Sequence, residues 1–503
     1  YGDHRDLHVS QHSFPTRRSS DLVAACDVGT SGVRCCLFDL EGRLAARAHR
    51  LWSYDSDASA PGALAFDPEA AWDAMADAIR EATSAAGAAS RRVRAASVTS
   101  QRLGLVLADS RGRGLRGIPN IDRRAAAEAA ELGRSRGERL YASAGRWPGA
   151  GHPLSKLLWL RSHEPATLEK AASLLSLGDW FVYRLCGAIA TEPTSACETC
   201  LYDVVAGRWD EGTAVACGID AAILPAVLPP GTAAGAVSRE TAARTCLPAG
   251  TIVAVGGGDT ECGVLGLGAR RPGDTAVVAG SSAPVERVVD RPILDREFRT
   301  LTNPFVLPAR WAVESNAMLT GASYAWLAST LCDSKSDADR ARAYAQLDRE
   351  AAAVPIGSEG ALAYLGSSVM DSRRGSFPAV AGILAPMGSI AGAALSRGCL
   401  ARAALEAAAY AIRANVEQLR EVTGTAPSAV LAGGGSLKST AFRSILPDAL
   451  GLPVLAADDE ATTRGCAMCA ATGAGLFGSL EEACAAMASA PEELRPDAAR
   501  HEA

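Results

Sequence analysis

The chain has 503 residues, of which 48% are hydrophobic and 21% charged, and its formal net charge is -6. A chain of this length exceeds the size at which one hydrophobic core keeps growing, so two domains are the default and three are the alternative. The negative charge argues against a nucleic-acid or anionic-membrane surface, and no apolar run approaches the roughly 18 residues that suggest a membrane span. We therefore expect a cytoplasmic protein without nucleic-acid or membrane partners.

The 14 cysteines are scattered through apolar segments, which is typical of buried free thiols in a reducing compartment. Two C-x-x-C pairs, Cys197/Cys200 and Cys466/Cys469, have a spacing that zinc sites use, but their small-residue surroundings favour close helix packing instead. Residues 1–22 lack both hydrophobic periodicity and the apolar core of a signal peptide. They are expected to form a non-native or disordered tail, and the predicted fold begins at Val23.

The stretch Val23–Asp39 predicts a β-hairpin with a Gly-Thr-Ser-Gly tip. Backbone N–H groups and the hydroxyls of Thr30 and Ser31 at such a tip suit a phosphate. Asp27 ends the first strand and Arg34 opens the second. Because a carboxylate repels a bare phosphate, Asp27 is expected to face a bridging cation or a substrate hydroxyl. An ordinary hairpin turn is the alternative.

The next segments predict a third strand around Gly42–Trp52 and a helix over Pro68–Ala86, whose apolar residues form one stripe. Val93–Ala108 then has the pattern of a strand, a polar break and another strand, with Gln101 and Arg102 in the break. Ligands gather at the carboxyl ends of strands in α/β sheets, which makes this pair a candidate for substrate contact. A solvated loop is the alternative.

Asp122 opens a predicted helix over Ala125–Leu132, where it is either an N-cap or an acceptor for sugar hydroxyls. The sequence does not choose between the two. Leu154–Cys186 predicts further helices, in which Trp159 and Trp180 are more typical of core residues than of sugar-stacking ones.

The stretch Thr251–Ala269 runs from a buried-strand pattern through three glycines into Asp259 and a small-residue helix. Glycines at a strand end allow another molecule to approach the backbone closely, and a solvated aspartate seldom needs them. Asp259 is therefore expected at the bottom of a cleft. Asp274–Val289 then repeats the opening hairpin, with Gly280 and Ser281 at its tip, which predicts an internal duplication whose two tips hold a triphosphate.

The C-terminal half predicts Gly321 before a helix over Tyr324–Leu331 and a long amphipathic helix over Arg402–Val422. Val430–Ser436 is again a strand that runs into glycines, where a flat ring can lie against the backbone near a helix N-terminus. A strand over Leu452–Ala456, a small-residue helix over Glu460–Gly475 and a frayed polar segment after Pro491 complete the prediction.

In this order the motifs resemble those of the FGGY carbohydrate kinases, members of the actin-like, ribonuclease-H-like ATPase superfamily. The resemblance covers Val23 to Gly478 and rests on DVGTSGVR, TSQR, NIDRRA, GGGDTECGVLGLG, the GSS hairpin, TGAS, AGGGSLKS and EATTRGCAMCA. It implies an α/β fold of two duplicated actin-like ATPase domains around a central cleft. Residues 23–268 would bind sugar and supply the base, residues 269–480 would bind ATP, and residues 481–503 would be a polar tail.

The resemblance also implies roles for individual residues. Asp259 is the implied base that accepts the hydroxyl proton, and Asp27 with Asp259 would bind Mg²⁺. The implied sugar contacts are Gln101, Arg102, Asp122 and Asp259. The residues implied in binding ATP are Thr30, Ser31, Arg34, Gly280, Ser281, Gly321, Gly434, Gly435 and Ser439.

Several elements look most like the autoinducer-2 kinase branch of the family, namely NIDRRA, GDW at Gly178–Trp180, NPFVLP at Asn303–Pro308 and SSVMDS at Ser367–Ser372. This implies ATP-dependent phosphorylation of a small sugar, ketose or polyol, with an open-chain autoinducer-2-type molecule as the first candidate. Leu103 stands where glycerol-type members have glutamate, so a pentulose or polyol kinase such as a xylulokinase is an alternative. A non-catalytic sugar-sensing protein of the same fold is another, and a homodimer stays open.

Overall fold

The structure, a computed structural model, describes residues 20–332, 337–375, 382–384 and 396–502. Residues 1–19 of the predicted tail lie outside the described residues. Asp21 and Leu22 are buried, and the first strand begins at Leu22. Among the described residues, none of the helices combines the length and the apolar character that crossing a membrane requires.

The first sheet has six strands in the order β5-β6-β4-β1-β2-β3. β1 lies between antiparallel β2 and parallel β4, and β4 pairs in parallel with β6. β3 and β5 complete the two edges as antiparallel strands. The strands are β1 (Leu22–Gly29), β2 (Gly32–Asp39), β3 (Leu44–Leu51), β4 (Val93–Ser100), β5 (Ala233–Ala236) and β6 (Ile252–Gly258).

The second sheet has seven strands in the order β9-β10-β8-β7-β11-β12-β13. Here β7 lies between antiparallel β8 and parallel β11, and β11 pairs in parallel with β12, so the core of the first sheet is repeated. This repeat confirms the predicted duplicated fold. The strands are β7 (Thr275–Val278), β8 (Pro284–Val289), β9 (Leu301–Pro304), β10 (Trp311–Asn316), β11 (Val430–Gly433), β12 (Val454–Ala456) and β13 (Glu492–Leu494).

Helices cover both sheets, and three of them, α5, α10 and α11, contribute to a hydrophobic core shared by residues of both sheets. The helices are α1 (Pro68–Ala86), α2 (Ala126–Ala144), α3 (Pro153–His163), α4 (Leu177–Cys186), α5 (Asp259–Gly266), α6 (Gly321–Cys332), α7 (Asp337–Ala352), α8 (Arg397–Thr423), α9 (Thr440–Leu450), α10 (Ala461–Gly473), α11 (Leu480–Met487) and α12 (Ala498–Glu502).

Smaller elements surround this frame. A three-stranded sheet contains Leu105–Ala108, Gly114–Ile118 and Ser173–Ser176, so the two strands predicted within Val93–Ala108 belong to different sheets. Two-stranded pairs and short helices fill the connections. They are Asp55–Ser56 with Leu64–Ala65, Ala190–Thr191 with Ala226–Val227, Tyr202–Asp203 with Arg208–Trp209, Leu362–Tyr364 with Gly382–Leu384, and the helices Pro165–Lys170, Pro193–Glu198, Glu211–Ala216 and Arg239–Thr245.

The last segment differs from the predicted polar tail. α11 buries Leu480, Ala483, Cys484 and Met487 in the core shared with the first sheet. These residues have the i, i+3, i+4, i+7 spacing of an amphipathic helix, which was the available signal. β13 then pairs with β12, and α12 follows it. Residues 480–502 are therefore part of the fold, because their apolar side chains and backbone groups complete a core and a sheet edge.

Candidate active site

Asp259 is the first residue of α5 and follows the glycine-rich end of β6. The end of β6 has no room for a side chain at Gly256, because a Cβ on this residue would lie 2.1 Å from the Val98 carbonyl oxygen. Asp259 Oδ1 accepts a hydrogen bond from the Thr260 N–H at 2.8 Å, and 35% of the side chain is exposed. Burial raises the pKa of Asp259 to about 6, although the nearby Arg102 cation opposes the rise.

Asp27 lies directly opposite Arg34 in the pairing of β1 with β2, and Arg34 Nη2 donates to Asp27 Oδ2 at 3.0 Å. The pKa of Asp27 is raised above its ordinary value by burial, although Arg34 opposes part of the rise. Asp27 is also one of the negative charges that raise the pKa of Asp259, so the fold brings the two carboxylates within electrostatic reach of each other. Glu460, just before α10, lies 3.5 Å from Arg34 and 3.1 Å from Arg47.

A chain of polar side chains connects the hairpin tip with the end of β4. Thr30 Oγ1 donates to Gln101 Oε1 at 3.3 Å, and Asn120 Nδ2 donates to Thr30 Oγ1 at 3.0 Å. Gln101 Nε2 donates to the Tyr54 hydroxyl at 2.8 Å. Ser31 is exposed at the tip. No local pattern in the sequence marks Tyr54, because it comes from a loop after β3 and meets Gln101 only in the folded chain.

Arg102 points away from Gln101 into a group of glutamates. Its Nη1 and Nη2 donate to the two oxygens of Glu314 at 2.6 and 2.9 Å, and Nη1 lies 3.3 Å from Glu198. Its Nε is 3.8 Å from Asp259 Oδ1. Two of its three nitrogens therefore contact protein carboxylates, and its nearest relation to the predicted site is the charge that it places beside Asp259.

Asp122 is not positioned for the predicted sugar contact. Its side chain is 0% exposed, and Arg124 Nε lies 3.0 Å from Asp122 Oδ2. The backbone N–H of Leu64 donates to the same oxygen at 2.6 Å. It is not the N-cap of α2 either, because Ala125 occupies that position. Asp122 is thus a buried structural partner, since a carboxylate enclosed in this way has to be fully hydrogen-bonded.

The predicted nucleotide residues of the C-terminal half converge on the tip of the second hairpin. The Ala322 N–H donates to the Ser281 carbonyl at 3.0 Å. A Cβ on Gly321 would lie 2.2 Å from the Gly280 carbonyl oxygen, and Gly434, with φ +104°, would place one 2.6 Å from Ala279 O. These glycines therefore permit the start of α6 and the end of β11 to lie against the tip. Gly435 follows and is exposed.

Ser439 has a different use from the predicted one. Its hydroxyl oxygen caps α9 by accepting from the Phe442 N–H at 3.0 Å, and it also hydrogen-bonds Asp348 of α7. The hydroxyl is therefore engaged within the protein, because the N-terminus of α9 needs an acceptor for its free N–H groups.

Comparison with known proteins agrees with this arrangement. The N-terminal domain of the FGGY family of carbohydrate kinases matches residues 22–266, and the C-terminal domain of the same family matches residues 275–474. The chain belongs to the FGGY family of carbohydrate kinases. It is an ATP-dependent carbohydrate kinase, and its substrates are small molecules.

The most similar relatives include two autoinducer-2 kinases. That of Escherichia coli (strain K12) is 32% identical over 497 residues, covering 97% of this chain and 93% of the relative. That of Salmonella paratyphi B is 34% identical over 472 residues, covering 92% of this chain and 88% of the relative.

Solved structures share the fold. The xylulose kinase from Rhodospirillum rubrum superposes with a TM-score of 0.81 at 28% identity, covering 96% of this chain and 95% of that chain. Plasmodium falciparum glycerol kinase with ADP has a TM-score of 0.81 at 16% identity, covering 98% of this chain and 97% of that chain.

Proposed function

We propose that this FGGY kinase phosphorylates an open-chain, autoinducer-2-type polyol-ketone. The proposal is supported by the autoinducer-2 kinases among its relatives, which match more than nine-tenths of the chain. The polar chain of Thr30, Gln101, Tyr54 and Asn120 offers hydroxyl and amide groups to a neutral substrate rich in hydroxyls. A pentulose such as xylulose is the second candidate, favoured by the likeness to the Rhodospirillum rubrum structure.

Asp259 is the proposed base. The observation that supports this role is its position as a partly exposed carboxylate directly after the glycine-rich end of β6. A carboxylate whose pKa is raised to about 6 is still ionised at neutral pH and accepts a proton more readily than an ordinary aspartate. In the proposed reaction, Asp259 accepts the proton of the attacking substrate hydroxyl while that oxygen bonds to the γ-phosphorus of ATP. The bond between the γ-phosphorus and the bridging oxygen breaks at the same centre, and ADP leaves with that oxygen. Arg102 holds a positive charge beside the base, so it favours the ionised form of Asp259 and opposes the effect of partial burial.

Mg²⁺ fits the carboxylates present. Asp27 on β1 and Asp259 after β6 come from the two strands that flank β4, and carboxylate oxygens are the ligands that this hard cation prefers. These two residues would hold it, and when bound it neutralises charge on the phosphates. Thr30, Ser31 and Arg34 are the proposed contacts of the transferring phosphate.

The nucleotide would bind mainly to the second domain. Gly280 and Ser281 are the proposed contacts of the remaining phosphates, and Gly321, Gly434 and Gly435 would shape the adenosine pocket. Residues 23–268 are the proposed sugar-binding domain, and residues 269–480 are the proposed ATP-binding domain. A cytoplasmic location and a homodimer also remain proposals.

The substrate proposal is tested by coupled ADP release over a panel of ketoses, polyols and the open-chain autoinducer-2 precursor. We expect the highest kcat/KM for the precursor. A higher value for xylulose would transfer the assignment to the pentulose kinases. Sugar binding without turnover of any compound would favour the sugar-sensing alternative.

The mechanism is tested by Asp259→Asn, which removes the proton acceptor but keeps the shape of the side chain. We expect kcat to fall at least about a hundredfold, within the range that general bases contribute. Affinity for ATP without Mg²⁺, measured by calorimetry, should change less than about threefold, because most proposed nucleotide contacts lie in the second domain and the proposed role of Asp259 in holding Mg²⁺ does not enter this measurement. Phosphorylation at the wild-type rate would refute the assignment of the base.

A further inference from the structure

Three buried glutamates from different elements meet behind the candidate active site. Glu261 lies on α5, Glu286 on β8 and Glu314 on β10. One carboxylate oxygen from each lies within 4.8 Å of the others, and the exposed fractions are 0%, 0% and 1%. The cluster is separate from the proposed Mg²⁺ carboxylates, although Glu261 is only two residues beyond Asp259.

Arginines compensate only part of the negative charge in this region. Arg102 donates twice to Glu314, and Arg146 Nη1 lies 2.5 Å from Glu198. Asn303 Nδ2 adds a hydrogen bond to Glu314 at 3.0 Å. The two guanidinium groups thus neutralise Glu314 and Glu198, and Glu261 and Glu286 remain as two further carboxylates in the interior.

The oxygens of these two carboxylates lack ordinary partners. In the part of the chain that the structure describes, three of their four oxygens have no hydrogen-bond partner, namely both oxygens of Glu261 and Oε2 of Glu286. Glu261 Oε1 is 3.7 Å from Arg102 Nη1, and Asn303 Nδ2 reaches Glu286 Oε1 only at 3.5 Å. Unpartnered buried carboxylates are strongly unfavourable, so something has to satisfy these oxygens.

We propose that Glu261, Glu286 and Glu314 form a buried binding site for one hard divalent cation, such as Mg²⁺, Mn²⁺ or Ca²⁺. All three ligands are carboxylates, the donors that these ions prefer, and a charge of +2 matches the two uncompensated carboxylates. The cation would connect α5, which begins at Asp259, with β8 and β10 of the second sheet. The site is structural and independent of the nucleotide.

The proposal is tested by counting bound Mn²⁺ with electron paramagnetic resonance, without nucleotide, in the full chain carrying Asp27→Asn and Asp259→Asn. These changes remove the proposed ligands of the nucleotide-associated ion. We expect about one Mn²⁺ per chain. Adding Glu286→Gln should weaken binding at least tenfold, whereas the control Glu406→Gln, at a buried glutamate paired with Arg402, should leave it unchanged.

A second measurement is needed in case Glu286→Gln does not fold. Glu261→Gln is the alternative variant, and elemental analysis of wild-type protein purified without chelators is expected to give one divalent ion per chain. Absence of a bound ion in both measurements would overturn the proposal and mean that two protons neutralise the cluster. Mn²⁺ binding of unchanged affinity in a folded Glu286→Gln or Glu261→Gln variant would overturn it as well.

Discussion

Asp259 and Asp122 show how differently two aspartates next to strand or helix ends behave. Asp259 follows glycines at which added Cβ atoms would collide with neighbouring atoms, and it keeps a partly exposed side chain. Asp122 is enclosed and hydrogen-bonded by Arg124 and the Leu64 N–H. The glycine pattern was enough to single out Asp259. No local signal distinguishes Asp122 from a ligand-binding residue, because its burial depends on segments distant in the chain.

The raised pKa of Asp259 predicts the pH dependence of the reaction. The base works only when ionised, so kcat/KM should be constant at pH 7–8 and fall about tenfold per pH unit well below the pKa of about 6. Burial is the main cause of the shift and the Asp27 charge adds to it, so Asp27→Asn should lower the pKa of Asp259. Carboxyl ¹³C NMR measures that pKa without requiring activity. A fall in kcat/KM centred near pH 4 would contradict the raised pKa of Asp259.

At the scale of elements, α5 and α10 pack so closely that their glycines touch the neighbouring backbone. A Cβ on Gly465 would lie 1.9 Å from the Cys262 carbonyl oxygen, and one on Gly266 would lie 1.8 Å from that of Ala461. Cys466 and Cys469, one of the C-x-x-C pairs, are buried on α10, as expected for a packed helix. This contact matters for function because α5 carries Asp259 at its first position.

Gly465→Ala should therefore destabilise the protein although alanine is the better helix former. The propensity gain is about 1 kcal/mol, whereas a methyl group against backbone forces the helices apart. We expect a net loss of ~1–3 kcal/mol in the free energy of unfolding, of the size that overpacked cores show, measured by denaturant unfolding. In the control Gly382→Ala, the added Cβ meets no heavy atom of the described residues within 4 Å apart from its chain neighbours, so this variant should change the free energy of unfolding by less than about 0.5 kcal/mol. An equal change in the free energy of unfolding for the two variants would contradict the close packing of α5 against α10.

At the scale of the whole molecule, the end of the chain returns to its beginning. α10 and α11 lie in sequence between β12 and β13 of the second sheet, but they share a core with Val23, Ala25 and Phe38 of the first. Arg464 Nε donates to the Gly42 carbonyl at 3.2 Å. Since β13 covers the edge of the second sheet beside β12, the two halves depend on each other and on the last residues of the chain.

Removal of residues 491–503 should lower stability without removing the candidate active site. The truncation exposes the edge of β12 and deletes Arg500, whose Nε lies 2.6 Å from Asp448. We expect a Tm lower by several degrees and more aggregation, because open sheet edges pair with other chains. The kcat of the folded fraction should change less than about twofold. The control Arg495→Ala, whose partner Glu493 is exposed, should leave Tm unchanged, and an unchanged Tm for the truncation would contradict the role of β13.

The sequence by itself determined the duplicated α/β fold, the kinase family, and Asp259 as the candidate base. Periodicity and glycine spacing, which act locally, predict the strands and helices and place Asp259 at a strand end. The family and the role of Asp259 as a base are implied by the resemblance of the ordered motifs to those of the FGGY kinases. The tertiary structure decided which polar residues meet: it enclosed Asp122, turned Arg102 toward Glu314, and brought Tyr54 to Gln101. Burial, charge compensation and pKa depend on neighbours from distant segments, so only the folded chain fixes them.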